Sequence, residues 1–571
     1  MKMKKEIMKM GMALAVLLFA ISCSDFDEIN VKPNAFTSDE VSAKYFVTET
    51  QIQLYAPNRY PYWRAQLIHW DRFAGQFCFG FNGSWWNDGL SYTYDSAYTD
   101  AAYDYLSGYT SSLSAFLNFV KEGGELENQN YYAIGLIMKG LYYQTYTDVF
   151  GMVPYSEALN PDIITPVYDS QAVIYEGVIN ELNQAMEIIG SSTVTGEGVE
   201  LLSNNDLFFG GDLQQWKKLA NTLKLRMALR AQGAPGADFA NAAITEAMAA
   251  DLLVLETDNA LMEKDTEISQ WSNAAYGDVW YNFGVGSNWT VGKTLIDYLQ
   301  NNNDPRLPMY AQPIDGGEVV FTEPVEGPGV GLFAKHVDFI LAQLDNVGVS
   351  YTRVDGTNVD GQATVTINVA TDTPYYVGQP TRLNSLIQTH VKEALFSRPA
   401  QLIINAKNQG NDIFPEIVFT AAEGNFLQAE AIVKGLATGD AQTLYQNGIR
   451  QAMKIWGVDD ASIETFLATE SIALLNGSAE ENLEKISVQR WIAAYTDGSE
   501  AWSIVRDSGY PSELSAGVSD YDLYSAGTLN GAYPQRMRYG TGAYNTNGPN
   551  TEAANAAQGP DLQGTTLWFA Q

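Results

Sequence analysis

Apolar residues recur at three- and four-residue spacing through much of the chain, the pattern of helices that bury one face. Over 128–149 they fall at Ile134, Ile137, Met138, Leu141 and Tyr142, after the cap-forming Asn128, Gln129 and Asn130. Gly151 and Pro154 close that run. Over 168–189 the stripe is Val173, Ile174, Val178, Ile179, Leu182 and Met186, and Asp169 or Ser170 can cap it. Trp216, Leu219, Leu223, Met227 and Arg230 predict a third helix over 213–232. Others are predicted at 292–301, 416–436, 441–456 and 479–496. Medium-length helices with short connections predict stacked helical hairpins, although no fixed-period repeat accompanies them. The pattern lapses over 75–96, 255–291, 311–380 and 508–571. Inside the third gap, 352–370 alternates Val354, Val359, Val365, Ile367 and Val369 with polar and turn residues, which predicts strands. The expected fold class is therefore mainly α: helix pairs with long irregular loops and a small, partly β insertion at 311–380.

The N-terminus departs from this pattern. Lys2, Lys4, Lys5 and Lys9 precede an apolar run of about ten residues, too short for the roughly twenty that span a bilayer. Ser22 and Cys23 follow, then Asp25, Asp27 and Glu28. A basic stretch, a short apolar stretch and a small residue at the cut make a secretory signal over 1–22. A cysteine just after the cut makes it a lipidation signal, because the thiol can carry diacylglyceryl, and several acyl chains such as palmitate hold a bilayer firmly. Residues 23–571 are expected to form one domain.

The formal charge is −34. Such a surface repels nucleic acid and anionic headgroups, which excludes them as partners. Of the two cysteines, Cys78 would be left without a partner once Cys23 is acylated. It stands among Phe77, Phe79 and Phe81, where a buried apolar role is expected.

Aromatic side chains cluster where the helical pattern lapses. Nine fall within 81–109, interleaved with Asn82, Asn87, Asp88 and Asp95. Flat rings stack on the C–H faces of sugars while amide and carboxylate groups take the hydroxyls. Tyr98, Tyr103, Tyr105 and Tyr109 fit helix packing better. Trp85, Trp86, Asn87, Asp88 and Tyr92, set among glycines and serines, are the candidate ligand contacts. A second candidate segment runs over 271–289 and contributes Trp280 and Trp289.

Thr147-Asp148-Val149-Phe150-Gly151-Met152-Val153-Pro154-Tyr155 resembles a helix-ending signature of the SusD/RagB family of outer-membrane nutrient-binding lipoproteins. Asp212-Leu213-Gln214-Gln215-Trp216-Lys217, Asn303-Asp304-Pro305-Arg306, Glu423-Gly424-Asn425-Phe426-Leu427-Gln428-Ala429-Glu430 and Val488-Gln489-Arg490-Trp491 are similar to further landmarks, in family order. So are Glu500-Ala501-Trp502, Tyr533-Pro534-Gln535-Arg536 and Leu567-Trp568-Phe569. Asp25, Asp27 and Glu28 resemble the family's surface-export tag. The resemblance implies a tetratricopeptide-like helical scaffold, anchored in the outer membrane and facing outward. It further implies a protein that binds oligosaccharide and passes it to a TonB-dependent, SusC-like barrel. Some relatives capture peptides, which keeps peptide cargo as an alternative. The family's glycan-binding members use aromatic loops in the two segments singled out above.

Catalysis has little support. His69, His336 and His390 show no metal-ligand spacing, and neither a nucleophile elbow nor a phosphate loop is present. No cofactor is expected, and only an Asp-rich loop leaves calcium open. A lipid-anchored glycoside hydrolase is the remaining alternative, because the acid pair it needs is spatial rather than sequential. Arg226 and Arg230, four apart, are expected to tie neighbouring helices together, and Arg306 to pair with a carboxylate. Replacing Cys23 with Ala should move the protein from the membrane to the soluble fraction, read by fractionation, while leaving ligand affinity unchanged.

Overall fold

The computed structural model describes residues 42–57, 59–79, 92, 94–160, 162–193, 201–263, 289–404 and 414–571. Contacts divide the chain into Met1–Ala43 and Lys44–Gln571, and the second unit is the one described below. Its helices of nine residues or more are α1 (Lys44–Tyr55), α2 (Ser96–Val120), α3 (Gln129–Phe150), α4 (Gln171–Ile189), α5 (Leu213–Ala231), α6 (Ala240–Met248) and α7 (Lys293–Asn301). They continue as α8 (Phe333–Asn346), α9 (Ala421–Val433), α10 (Ala441–Ile455), α11 (Asp460–Thr469), α12 (Ala479–Ala493), α13 (Gly498–Ser508) and α14 (Thr541–Gln558). The pairs α2·α3, α3·α4, α4·α5, α5·α6, α9·α10 and α12·α13 pack together, as expected of stacked hairpins.

Local chemistry sets the helix ends. The Asn128 side chain accepts the Tyr131 N–H at 3.1 Å to start α3. Gly151, at φ 84°, ends it in a conformation other residues resist. Ser170 caps α4. Asp169 instead accepts the N–H groups of Tyr155 and Ser156, which pins the turn after α3 onto the two-residue ladder of β2 (Val153–Pro154) and β3 (Tyr168–Asp169).

The structure differs from the sequence reading in three places. The segment 416–436 is not one helix: β9 (Glu416–Phe419) pairs with β4 (Ala260–Met262), and α9 begins after Thr420. Within 311–380 lies α8, whose Phe333, Val337, Ile340, Leu341 and Leu344 cover one face of a sheet ordered β6 (Gly317–Thr322), β8 (Ala363–Val369), β7 (Tyr351–Thr357). The insertion is thus an α/β layer whose apolar core is completed by Leu383, Ile387, Val391, Leu395, Phe396 and Leu523 from outside it. Helix α14 was not anticipated because its face is Ala, Asn, Gly and Thr rather than a stripe of large apolar residues.

A network of buried charges joins the pairs. Arg230 on α5 is bonded to Asp148 on α3 at 2.6 Å and to Glu500 on α13. One turn earlier, Arg226 pairs with Glu423 on α9 and donates to the Gln144 amide oxygen of α3, 3.2 Å away. Arg490 on α12 reaches Glu430 at 2.8 Å, Glu423 at 3.3 Å and Glu500 at 3.5 Å. Arg306 meets Asp304 at 2.6 Å and the Gln489 amide oxygen at 2.7 Å, tying the Asn-Asp-Pro-Arg turn to α12. Burial by itself raises the Glu500 pKa, but Arg226, Arg230 and Arg490 outweigh it and hold it down to about 2. A carboxylate so held contributes stability that is complete above its ordinary value of about 4.5 and lost as the pH falls toward 2.

Arg230→Met should therefore lower unfolding free energy by about 3–5 kcal/mol near neutral pH, because Asp148 loses its buried arginine and Glu500 loses one of three. Denaturant titrations of both proteins should show the gap narrowing as the pH falls toward 2, where Glu500 takes up its proton.

Candidate functional site

Strand β1 (Phe77–Phe79) pairs antiparallel with β5 (Trp289–Val291), in the register Phe77 with Val291, Cys78 with Thr290 and Phe79 with Trp289. This short ladder places the ends of both candidate segments together. The first segment, 81–109, begins two residues past Phe79, and the second, 271–289, ends at Trp289 itself. Two stretches some 200 residues apart in sequence thus spring from one root. Trp85, Trp86, Asn87, Asp88 and Trp280 lie outside the described residues.

The root is held from three sides. The Gln379 side-chain amide donates to the Phe79 carbonyl at 2.7 Å, and its amide oxygen accepts the Thr290 hydroxyl at 2.6 Å. The Gln388 amide donates to the same carbonyl at 3.1 Å. The Arg72 guanidinium covers the Phe79 ring at 3.8 Å, and Arg382 covers the Tyr92 ring at 4.7 Å. Backbone crowding here demands glycine. A Cβ on Gly292 would sit 1.9 Å from the Gly75 carbonyl oxygen, and one on Gly378 would sit 2.4 Å from Lys293 Cα.

Tyr92 and Trp289 are the two candidate contacts the structure describes, and both are buried, 4% and 3% exposed. Tyr92 donates its hydroxyl to the Arg72 carbonyl at 3.1 Å, and Trp289 packs on Phe79 with ring centres 4.7 Å apart. So little free ring surface leaves neither ring open to stacking. Tyr103 and Tyr109 are buried on α2, where Tyr109 donates to the Thr50 carbonyl of α1 at 3.1 Å, and Tyr98 packs edge-on against Trp63. These are packing roles, as expected. Cys78 is buried, which pushes its thiol up to about 12, and a protonated thiol is a poor nucleophile. Burial lowers His69 to about 4, so its ring stays neutral against the Arg64 carbonyl.

Beside the root is a cleft of about 540 Å³ that begins at Lys293, two residues past β5. Asp297, Tyr298 and Asn301 of α7, Thr381, Glu513 and Asp520 face it. Lys293 is engaged with Asp297, the Tyr298 hydroxyl donates to Glu513 at 3.4 Å, and Asp520 pairs with Lys335 at 3.0 Å. The sequence offered no sign of this cleft, because its walls come from three distant stretches and none carries a motif. Among the described residues no group of His, Cys, Asp and Glu is arranged to hold a metal ion. None of their helices is long and apolar enough to cross a membrane.

The family described as starch-binding and associating with the outer membrane matches residues 34–343 and 371–540, well over half of the chain. The protein belongs to the SusD-like family. Solved structures with the same fold include a chitin-binding protein, 22% identical with a TM-score of 0.69 over 93% of this chain and 100% of its own. A SusD-like protein from Bacteroides thetaiotaomicron is 21% identical, with a TM-score of 0.68 over 92% of this chain and 98% of its own. A SusD homolog from Bacteroides uniformis is 22% identical, with a TM-score of 0.69 over 93% and 99%. At these identities the likeness establishes the fold, a mainly α scaffold of tetratricopeptide-like helix pairs. No curated protein matches the sequence. The gap in the family match, 344–370, removes β7 and β8 and keeps β6 and α8.

Gly292→Ala should shift the denaturation midpoint down by the equivalent of about 1–3 kcal/mol, the usual cost of forcing extra volume into a packed contact. The same variant should weaken ligand binding, since both loops leave from the ladder it distorts. Calorimetry on the folded variant checks the second effect separately from the first.

Proposed function

We propose that this SusD-like protein captures oligosaccharide at the outer membrane and hands it to a TonB-dependent, SusC-like barrel. The observation that carries the reading is the common root of the two aromatic segments at Phe79 and Trp289, beside an open polar cleft. Trp85, Trp86 and Trp280 supply stacking faces, and Asn87 and Asp88 take hydroxyls. Tyr92 and Trp289, both buried, serve as packing at the ends of those segments rather than as stacking faces. The family's association with starch binding and the outer membrane supports this assignment, as does a chitin-binding protein among the structures of like fold. Cys23, acylated after removal of residues 1–22, tethers the remaining domain on the outward face. The protein acts by binding and carries out no reaction. Asp297, Glu513 and Asp520 make the cleft walls acidic, which favours neutral or amino sugars over uronic acids.

Titration with neutral oligosaccharides, polyuronate fragments and peptides tests this reading. Binding to the neutral sugars is expected, and binding confined to peptides would replace glycan with peptide as cargo. A Trp85→Ala/Trp86→Ala double variant should lose at least about tenfold in affinity, since each stacked ring contributes on the order of a kcal/mol or more. Its melting temperature should stay unchanged. Steady release of new reducing ends from a glycan panel would overturn the non-catalytic assignment.

A further inference from the structure

The hairpin of β7 and β8 lies in 344–370, the stretch the family match leaves out, and it carries an open edge. Among the described residues strand β7 pairs only with β8, Tyr351 opposite Val369 through Thr357 opposite Ala363. Two hydrogen bonds set the phase of that ladder. The Asn358 N–H donates to the Gln362 carbonyl, and the Ala370 N–H to the Ser350 carbonyl, both at 2.9 Å. Even-numbered residues of β7 therefore direct their backbone groups at β8. The odd-numbered ones, Tyr351, Arg353, Asp355 and Thr357, direct theirs outward.

A strand edge of this kind is a template for another strand, and proteins usually blunt it with charge or proline. Here the charges alternate in sign. Arg353 lies 2.9 Å from Asp355 and 3.0 Å from Asp338 of α8, all three well exposed. Val354, between them on the opposite face, is 65% exposed. An arbitrary strand meeting this edge would set like charges together or leave them unmatched. A second copy of the same strand, run antiparallel, carries the matching order of charges.

We propose that β7 is a self-association edge whose occupant is β7 of a second copy of this chain. Antiparallel pairing about a two-fold axis through Val354 places Arg353 of each copy opposite Asp355 of the other. Those two positions have outward backbone groups, so they exchange hydrogen bonds as well as charge. The two Val354 side chains then meet as a close, non-hydrogen-bonded pair. Tyr351 falls opposite Thr357, and Thr352 opposite Gly356. The contact is isologous and closes at two copies, which avoids open filaments. A single strand pair buries less than a standard interface, so the association is weak and is read at about 0.1–1 mM protein.

Sedimentation velocity on the protein carrying Cys23→Ala tests this. A reversible, salt-sensitive dimer is expected. Asp355→Lys and Arg353→Asp should each weaken it about tenfold or more, because like charges then face each other across the strand pair. Mixing those two variants should restore association, since the acidic edge of one now meets the basic edge of the other, a recovery misfolded protein cannot produce. Val354→Cys should cross-link with itself on mild oxidation, faster than Val359→Cys at the hairpin tip. A monomer throughout the concentration range, failure of the mixed variants to associate, or equal cross-linking at 354 and 359 would overturn the proposal.

Discussion

The buried guanidinium–carboxylate network is the constraint on which the rest of this fold depends. Arg226, Arg230 and Arg490 sit almost wholly out of water with Asp148, Glu430 and Glu500. An ion so placed is costly unless its partners are in position, so α3, α5, α9, α12 and α13 cannot slide or rotate independently. Apolar packing alone would tolerate several registers of helix on helix. Fixed hydrogen-bonding geometry at a buried arginine tolerates few. Tyr175 adds a further hydroxyl to Asp148, and Arg506 donates to the Asp148 carbonyl at 2.6 Å, which draws in α4 and a second point on α13.

That constraint reaches the β1–β5 ladder through one residue. Trp491 follows Arg490 on α12; its indole N–H donates to the Ala74 carbonyl at 2.8 Å, and its own carbonyl accepts the Gln76 amide at 2.9 Å. Residues 74–76 lead directly into β1. Phe77 then stacks on Tyr495, ring centres 5.0 Å apart, and Tyr495 on Tyr310 at 4.3 Å. The helices thus set the root of the loops, and the loops need not build it themselves. Several residues that resemble the family in sequence, Asp148, Arg306, Glu423, Glu430, Arg490, Trp491 and Glu500 among them, belong to these packing and ion-pair contacts.

Much of the scaffold was legible in the residues because its signals are local. Helices α3, α4, α5 and α12 announce themselves by apolar spacing and capping side chains, and the four-residue interval of Arg226 and Arg230 marks one face of α5. Two elements were hidden for opposite reasons. Helix α14 has almost no large apolar residues to space. Helix α8 has a clear stripe, Phe333 through Leu344, but it sits between strands and glycine-rich turns that read as irregular chain. Strand β9 was absorbed into a helix because four buried residues in a row carry no period that separates the two states. The aromatic segments were visible by composition, whereas their common root was not, because the Phe79–Trp289 pairing joins positions that no local pattern connects.

Burial of Tyr92 and Trp289 changes what the aromatic count in these segments means. Of the rings that a composition argument assigns to ligand, these two are spent on packing at the base. Fixing the base matters energetically, because ordering a loop at the moment of binding subtracts from affinity, while a loop rooted in a rigid ladder has less freedom to lose. Gln379 and Gln388 converge on a single carbonyl at the last residue of β1, and two arginines lie over the flanking rings. Such concentration of contacts on one peptide is more than a three-residue strand needs for its own stability. It is what a strand needs if its next residue must leave in a set direction.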